Sequence, residues 1–226
     1  MNPTTSAAGG APYRFLEPQD LGLPNHPKAS SICGEILNPG GSASGVKRTV
    51  IGGIISIHNT FYAMTSANAH FNAMHPYEVQ YESQELDYAL CRITPSLAVP
   101  NRDRSHPLLY YAQEEQLTPG DVYVLGGNGP HLGYLHYFDT RIGGFPSDVK
   151  IGTIMMGQNV GAKFAMGAWV VRGQMVLGYV VHTSPTRDKR MYCHMIPIKQ
   201  AFADIEREYG QKVVFGQELH DNMPKN

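Results

Sequence analysis

Cysteine is nearly missing: Cys33, Cys91 and Cys193 are the only three in 226 residues. So sparse and odd a count, without C-x-x-C spacing, excludes a disulfide framework and a zinc module, and agrees with a reducing compartment. Charge is thin as well. Lys plus Arg total 18 against 19 Asp plus Glu, a net of -1, so no cationic excess draws the chain onto nucleic acid or anionic lipid. No apolar run approaches the roughly 18 residues of a membrane span. Residues 1–27 have neither the cationic start nor the apolar stretch of a secretory signal. The expectation is a cytoplasmic protein with no membrane and no nucleic-acid partner. Tryptophan occurs once, at Trp169.

Turn-forming residues are abundant. The chain has 24 Gly and 16 Pro while 42% of it is hydrophobic, which indicates many connections between short strands rather than disorder. Strand-length signals fall at 32–37, 49–57, 61–65, 77–81, 86–93, 122–126, 133–141, 149–155, 168–171, 175–181 and 191–196. The segments around His58-Asn59-Thr60 read as a hairpin, with Gly52-Gly53 marking a bulge or a close backbone approach. Ile198, Phe202, Ile205 and Tyr209 recur at helical spacing, with Pro197 at the first turn and Gly210 as the stop. The predicted organisation is a flexible N-terminal segment (1–29), a first β-barrel (30–98), a weakly structured crossing segment (99–118), a second β-barrel (119–196), and a C-terminal helix with a polar tail (197–226). The fold class is all-β, two antiparallel barrels with one terminal helix.

Four local patterns occur in an informative order. Thr49-Val50-Ile51-Gly52-Gly53-Ile54-Ile55 precedes Tyr62-Ala63-Met64-Thr65-Ser66-Ala67, then come Asp87-Tyr88-Ala89-Leu90, Met166-Gly167-Ala168-Trp169-Val170-Val171, and Gly178-Tyr179-Val180-Val181 running to Ile196-Pro197. Over roughly residues 31–209 the sequence resembles the trypsin/chymotrypsin-like serine peptidase fold, in particular the fungal intracellular trypsin-like group. The resemblance implies a T-x-A-H hairpin that delivers a catalytic His, a D-[WYF]-A-L strand that delivers an Asp, and an S-G-[SA]-W-V-V strand that follows the nucleophile.

Carried over residue by residue, the resemblance places Asn68 at the His position, Asp87 at the Asp position and Met166 at the Ser position. Acyl transfer needs a hydroxyl nucleophile and a titrating imidazole, and neither Met166 nor Asn68 supplies one. The oxyanion stretch is altered too, since Phe164-Ala165-Met166-Gly167 stands where the resemblance implies G-D-S-G. A slipped alignment would bring His70 to the base position, but two residues along an extended chain is a shift of about 6.6 Å. Asp87 then reads either as a functional acid or as a carboxylate that accepts backbone or hydroxyl hydrogen bonds. His182, on the strand that the resemblance places beside the cleft, reads either as facing it or as a packed or solvated imidazole. Met166 reads as a gap-filling core or cleft-wall residue, and Trp169 as an anchor of the second barrel's core.

The other features have plainer readings. His131 and His136 are five apart and point to opposite faces of a strand, so neither a metal nor a cofactor is expected. Gly126-Gly127-Asn128-Gly129-Pro130 lacks the Lys-Ser/Thr of a phosphate loop and reads as a turn. The leading functional expectation is a pseudopeptidase binding a ligand or partner, a small apolar molecule or a peptide, in the inter-barrel cleft. Asp87, Asn68 and His182 would be its polar groups, and Met166, Phe164, Ala165, Thr183 and His70 its lining. The alternative is a repurposed enzyme whose cleft catalyses a rearrangement, cyclisation or addition of a small apolar metabolite.

Overall fold

The computed structural model describes residues 49–67, 78–93, 101–103, 106–126, 129–138, 142–157, 166–185 and 190–222. The strand expected at 32–37 and the flexible segment expected at 1–29 lie outside these residues. β1 (Gly53–Ile57) and β2 (Thr60–Thr65) form the expected hairpin, with Ile57 opposite Thr60 across the two-residue turn His58-Asn59. Both turn residues are left-handed, at φ 51 and φ 59. A tight turn that follows the strands' own twist demands this, and Asn and His enter that region more readily than most residues. β3 (Glu78–Ser83) and β4 (Tyr88–Arg92) complete an antiparallel sheet in the order β1-β2-β4-β3. Both faces of its inner strands are buried. Ile54, Phe61, Ala63 and Cys91 lie in one apolar cluster, and Ile55, Tyr62, Met64, Tyr88 and Leu90 in another.

The crossing segment is more ordered than its composition suggests. It contains β5 (Arg102–Asp103), β6 (His106–Pro107), β7 (Tyr110–Tyr111) and a 3-10 turn at Glu114–Gln116. Asn101 ties it down like a strand residue: its Oδ1 accepts the Ile54 N–H at 2.7 Å and its Nδ2 donates to the Ile54 carbonyl at 2.6 Å. Such side-chain pairing needs no apolar pattern, which is why periodicity missed it.

The second half consists of β8 (Gly120–Gly126), β9 (Gly129–Phe138), β10 (Gly152–Met156), β11 (Trp169–Arg172), β12 (Met175–Pro185) and β13 (Met191–Pro197). Their order is β11-β8-β9-β10-β13-β12, and β12 returns to pair with β11, closing a six-stranded antiparallel barrel. Val122, Val124, Leu135, Ile154, Leu177, Cys193 and Met195 pack together in one buried cluster, and closure removes the free edges that an open sheet would carry.

α1 (Ile198–Tyr209) follows β13, with Pro197 at its N-cap and Gly210 in the left-handed conformation at its end. It buries Ile198, Ala201, Phe202 and Ile205, and Asp204 accepts the Tyr88 hydroxyl of the first sheet at 2.8 Å. The expected polar tail is not one. Val214 exchanges two backbone hydrogen bonds with Ser56 of β1, at 2.8 and 3.0 Å, and α2 (Gln217–Asn222) buries Leu219 against Ile51, Ile54, Phe61 and Cys91. Val213, Phe215 and Leu219 are too few and too unevenly spaced to register as a pattern in the sequence. Leu219 fills one face of the first sheet, while Val213 and Phe215 join the cluster on the other that holds Ile55, Tyr62, Met64 and Trp169, after the chain turns at Gly210.

Trp169 also differs from its expected place. The barrel interior is filled by aliphatic side chains, and the indole lies outside it, on Gly52-Gly53 of the first half. A β-carbon on either glycine would fall 2.2 or 2.3 Å from ring atoms, so the glycine pair marks a close approach. Phe215 meets the same ring edge-on at 5.6 Å between centroids.

Candidate functional site

Asn68, His70, Phe164 and Ala165 lie outside the described residues; Asp87, Met166, His182 and Thr183 lie within them. Asp87 stands on the turn into β4 in the left-handed region, at φ 50, and is 4% exposed. Its Oδ1 accepts the hydroxyl proton of Ser66 at 2.9 Å, and Ser66 is itself fully buried. A buried carboxylate needs such donors, because its charge has lost water. Tyr179 of β12 is the next layer. Its hydroxyl donates to the Leu86 carbonyl at 2.5 Å, and burial, then the charges of Asp87 and Asp204, push its phenol well above the ordinary range.

Met166 sits close to this pair. It is 4% exposed, its carbonyl accepts the Val50 N–H at 3.1 Å, and Thr49 pairs with it as an isolated parallel bridge. Gly167 follows at φ 89, and a β-carbon there would fall 2.7 Å from the Val50 carbonyl oxygen and 2.8 Å from the Ser66 nitrogen. Only glycine fits that position. The Gly167 N–H donates to the Val180 carbonyl at 2.8 Å, and Val180 donates to Ala168 at 2.9 Å. Ser66 therefore bridges the two stretches, bonded to Asp87 on one side and packed on Gly167 on the other.

His182 has a different neighbourhood. A bulge between Val180 and His182 resets the alternation of β12, and His182 faces His194 of β13. The rings stack at 5.7 Å and 29°. His194 Nδ1 lies 3.3 Å from the Thr153 hydroxyl and its Nε2 lies 3.4 Å from the Ser184 hydroxyl. Burial, then the neighbouring His182, lowers the His194 pKa below 6.5. Thr183 pairs with Cys193, so it points to the opposite face from His182.

Ser66 and His194 are the residues that the sequence reading passed over. Ser66 stood in the variable position of the quoted hairpin motif, where its hydroxyl was the available signal. His194 carried none, because only the β12–β13 register brings it to His182.

The chain matches no family profile and no curated protein. Its fold does match solved structures. Thermobifida fusca Protease A superposes with a TM-score of 0.56 at 13% identity, covering 83% of this chain and 100% of that one. A glutamic-acid-specific serine protease described as using a novel histidine triad in substrate binding gives 0.50 at 13%, covering 74% and 94%. The alpha-lytic protease homolog N4 gives 0.50 at 14%, covering 77% and 96%. The fold is that of the trypsin/chymotrypsin-like serine proteases. At such identity the likeness concerns the backbone alone, since function resides in side chains placed on a fold.

Proposed function

We propose that this chain is a non-proteolytic protein of trypsin-like fold that holds an extended polypeptide segment between its two halves, along β12. The observation that carries the reading is the side chain at position 166. It is a buried methionine with no proton to transfer, between Val50 and a glycine that tolerates no β-carbon. Asp87 supports it, because one carboxylate oxygen is already engaged by the Ser66 hydroxyl. The sequence adds Asn68, which cannot titrate as a base.

The preference for a polypeptide rests on backbone. β11 accompanies β12 only as far as Tyr179, and Val180 bonds to Ala168 and Gly167. From 181 to 185, among the described residues, β12 has a strand partner on its β13 side alone. The bulge at Val180/His182 shifts the alternation by one, which turns the backbone groups of Thr183 toward the open side. A peptide strand satisfies such groups by adding to the edge. A small apolar molecule leaves them unmet.

The test has two parts. A fluorophosphonate probe is incubated with the protein and with Met166→Ser; neither gains a stoichiometric adduct by intact mass, and neither turns over a peptide ester. Heptapeptides are then selected from a random library, and the best binder's footprint is read by amide hydrogen exchange. Protection at 181–185 is expected, and Thr183→Pro, which deletes the open N–H, abolishes it. An adduct on the unaltered protein, or footprints confined to other strands, ends the proposal.

A further inference from the structure

The stretch that leads from the crossing segment into the second barrel, residues 113–121, is held down by cationic side chains. Lys199 of α1 donates to the Gln113 Oε1 at 2.7 Å, and Lys150, ahead of β10, pairs with Glu114. Arg172, at the end of β11, covers the last part. Its Nη2 donates to the Thr118 carbonyl at 2.8 Å, its Nη1 to the Thr118 hydroxyl at 3.2 Å and its Nε to the Asp121 carbonyl at 3.2 Å. All three acceptors are neutral oxygens. A guanidinium carries five N–H donors in a fork that matches a carboxylate or a phosphate. Arg172 therefore has donors to spare, and its charge meets no carboxylate among the described residues.

Thr118 is exposed and stands outside the regular elements, between the 3-10 turn and β8. Its N–H takes part in no backbone hydrogen bond among the described residues, and Pro119 has none to offer. Arg172 alone ties the dipeptide by hydrogen bonds, so the dipeptide can leave the surface without breaking a ladder. Pro119 also biases Thr118 toward extended backbone. The sequence holds three Ser/Thr-Pro dipeptides. Thr94-Pro95 lies outside the described residues. Ser184 is half-buried in the β12–β13 ladder, its hydroxyl 3.4 Å from His194. Phosphoryl transfer needs an acceptor oxygen that can come into line with the phosphorus, and a laddered, half-buried hydroxyl cannot do so. Thr118 can.

We propose that Thr118 is a phosphorylation site for a proline-directed protein kinase, with Arg172 as the receiver of the phosphate. The Thr118 oxygen attacks the γ-phosphorus of a nucleoside triphosphate. The Oγ1–P bond forms as the bond from that phosphorus to the bridging oxygen breaks, the nucleoside diphosphate leaves with the electron pair, and the hydroxyl proton passes to the kinase's basic carboxylate. Nη1 already lies 3.2 Å from the oxygen that carries the new group, so a contact to a neutral hydroxyl becomes a charge-assisted, bidentate pair. Glu115 and Asp121 oppose the added charge, but both are exposed and screened by water and salt. The modified turn is pinned to the end of β11. The site is independent of any segment held along β12.

The experiment incubates the folded full chain with magnesium, ATP and a proline-directed kinase of the mitogen-activated class, beside a synthetic peptide of the sequence around Thr118. The folded chain should gain one phosphoryl group by intact mass, placed on Thr118 by fragmentation, at a rate comparable to the peptide's. Thr118→Val and Pro119→Ala should each abolish the gain. In ³¹P spectra the phosphate of the modified chain should titrate below that of the modified peptide, by about half a unit or more, because the guanidinium favours the dianion. Arg172→Gln should return that titration to the peptide's value and Arg172→Lys part of the way. Amide exchange at 118–121 should slow several-fold on modification in the parent and not in Arg172→Gln. If Arg172→Gln fails to fold, the partial return in Arg172→Lys decides the matter. Modification of the peptide but not of the folded chain, or transfer to Thr94 or Ser184 in place of Thr118, overturns the proposal. So does a phosphate that titrates alike in the chain and the peptide.

Discussion

Replacing Trp169 by alanine tests how the two halves are joined. The side chain is fully buried, spread over Gly52 and Gly53 and edge-on to Phe215. Deleting a large buried aromatic costs about 3 to 5 kcal/mol, depending on how far the surroundings collapse into the hole. Here the floor of the hole is glycine backbone, which has no side chain to move inward, and that pushes the loss upward. The indole Nε1 is buried with no hydrogen-bond partner among the described residues, and removing it recovers about 1 kcal/mol of desolvation. The expected net loss is about 3 to 4 kcal/mol, measured by equilibrium urea unfolding followed by circular dichroism, since the variant has no tryptophan to report fluorescence. Trp169→Phe keeps most of the contact while removing the orphan N–H, and should stay within about 1.5 kcal/mol of the parent. A loss under about 1 kcal/mol for the alanine variant, no more than an average substitution costs, would mean that the ring does not join the halves, and the reasoning from Gly52-Gly53 would fall with it.

Two further outcomes follow from the same packing. Leu219→Ala should cost about 3 kcal/mol and raise the reactivity of Cys91, which shares its cluster and whose thiol burial pushes up to about 12; a native thiol-labelling rate unchanged by the substitution would detach the tail from the first sheet. Folding lowers the His194 pKa below 6.5, so on acidification the unfolded chain takes up a proton there before the folded one does. Stability should therefore be full above about pH 6.5 and decline below it until the pH reaches the lower folded value. His194→Gln should flatten that decline in anion-free buffer, and an equally steep acid slope in this variant would assign it to other groups.

Much of the fold was legible because it depends on local chemistry. The β1–β2 hairpin was marked by residues suited to left-handed turns, the strands by short β-rich runs between Gly and Pro, and α1 by a single periodic face closed by Gly210. Asp87 was legible as a carboxylate with two fates, and its buried bond to a hydroxyl is one of them. The tail was not legible, because Leu219 matches one buried cluster and Val213 and Phe215 another, rather than a period along the chain. Trp169 was recognisable as an anchor, while the half it anchors against depended on where Gly52-Gly53 came to rest.

The amino-acid sequence alone therefore determined the element types, the all-β class and the chemistry of position 166, since a methionine cannot give up a proton in any fold. It determined equally that β9, β10, β12 and β13 carry no acid. Tertiary structure decided which of these residues meet. Ser66 reaches Asp87 across 21 positions, and His182 meets His194 only because a bulge between Val180 and His182 resets β12 by one residue within its pairing with β13. Side-chain direction in a strand has a period of two, so a single inserted residue reverses every later side chain. No residue marks the bulge in the sequence, and so the pairing of those two histidines could be read only once the chain was folded.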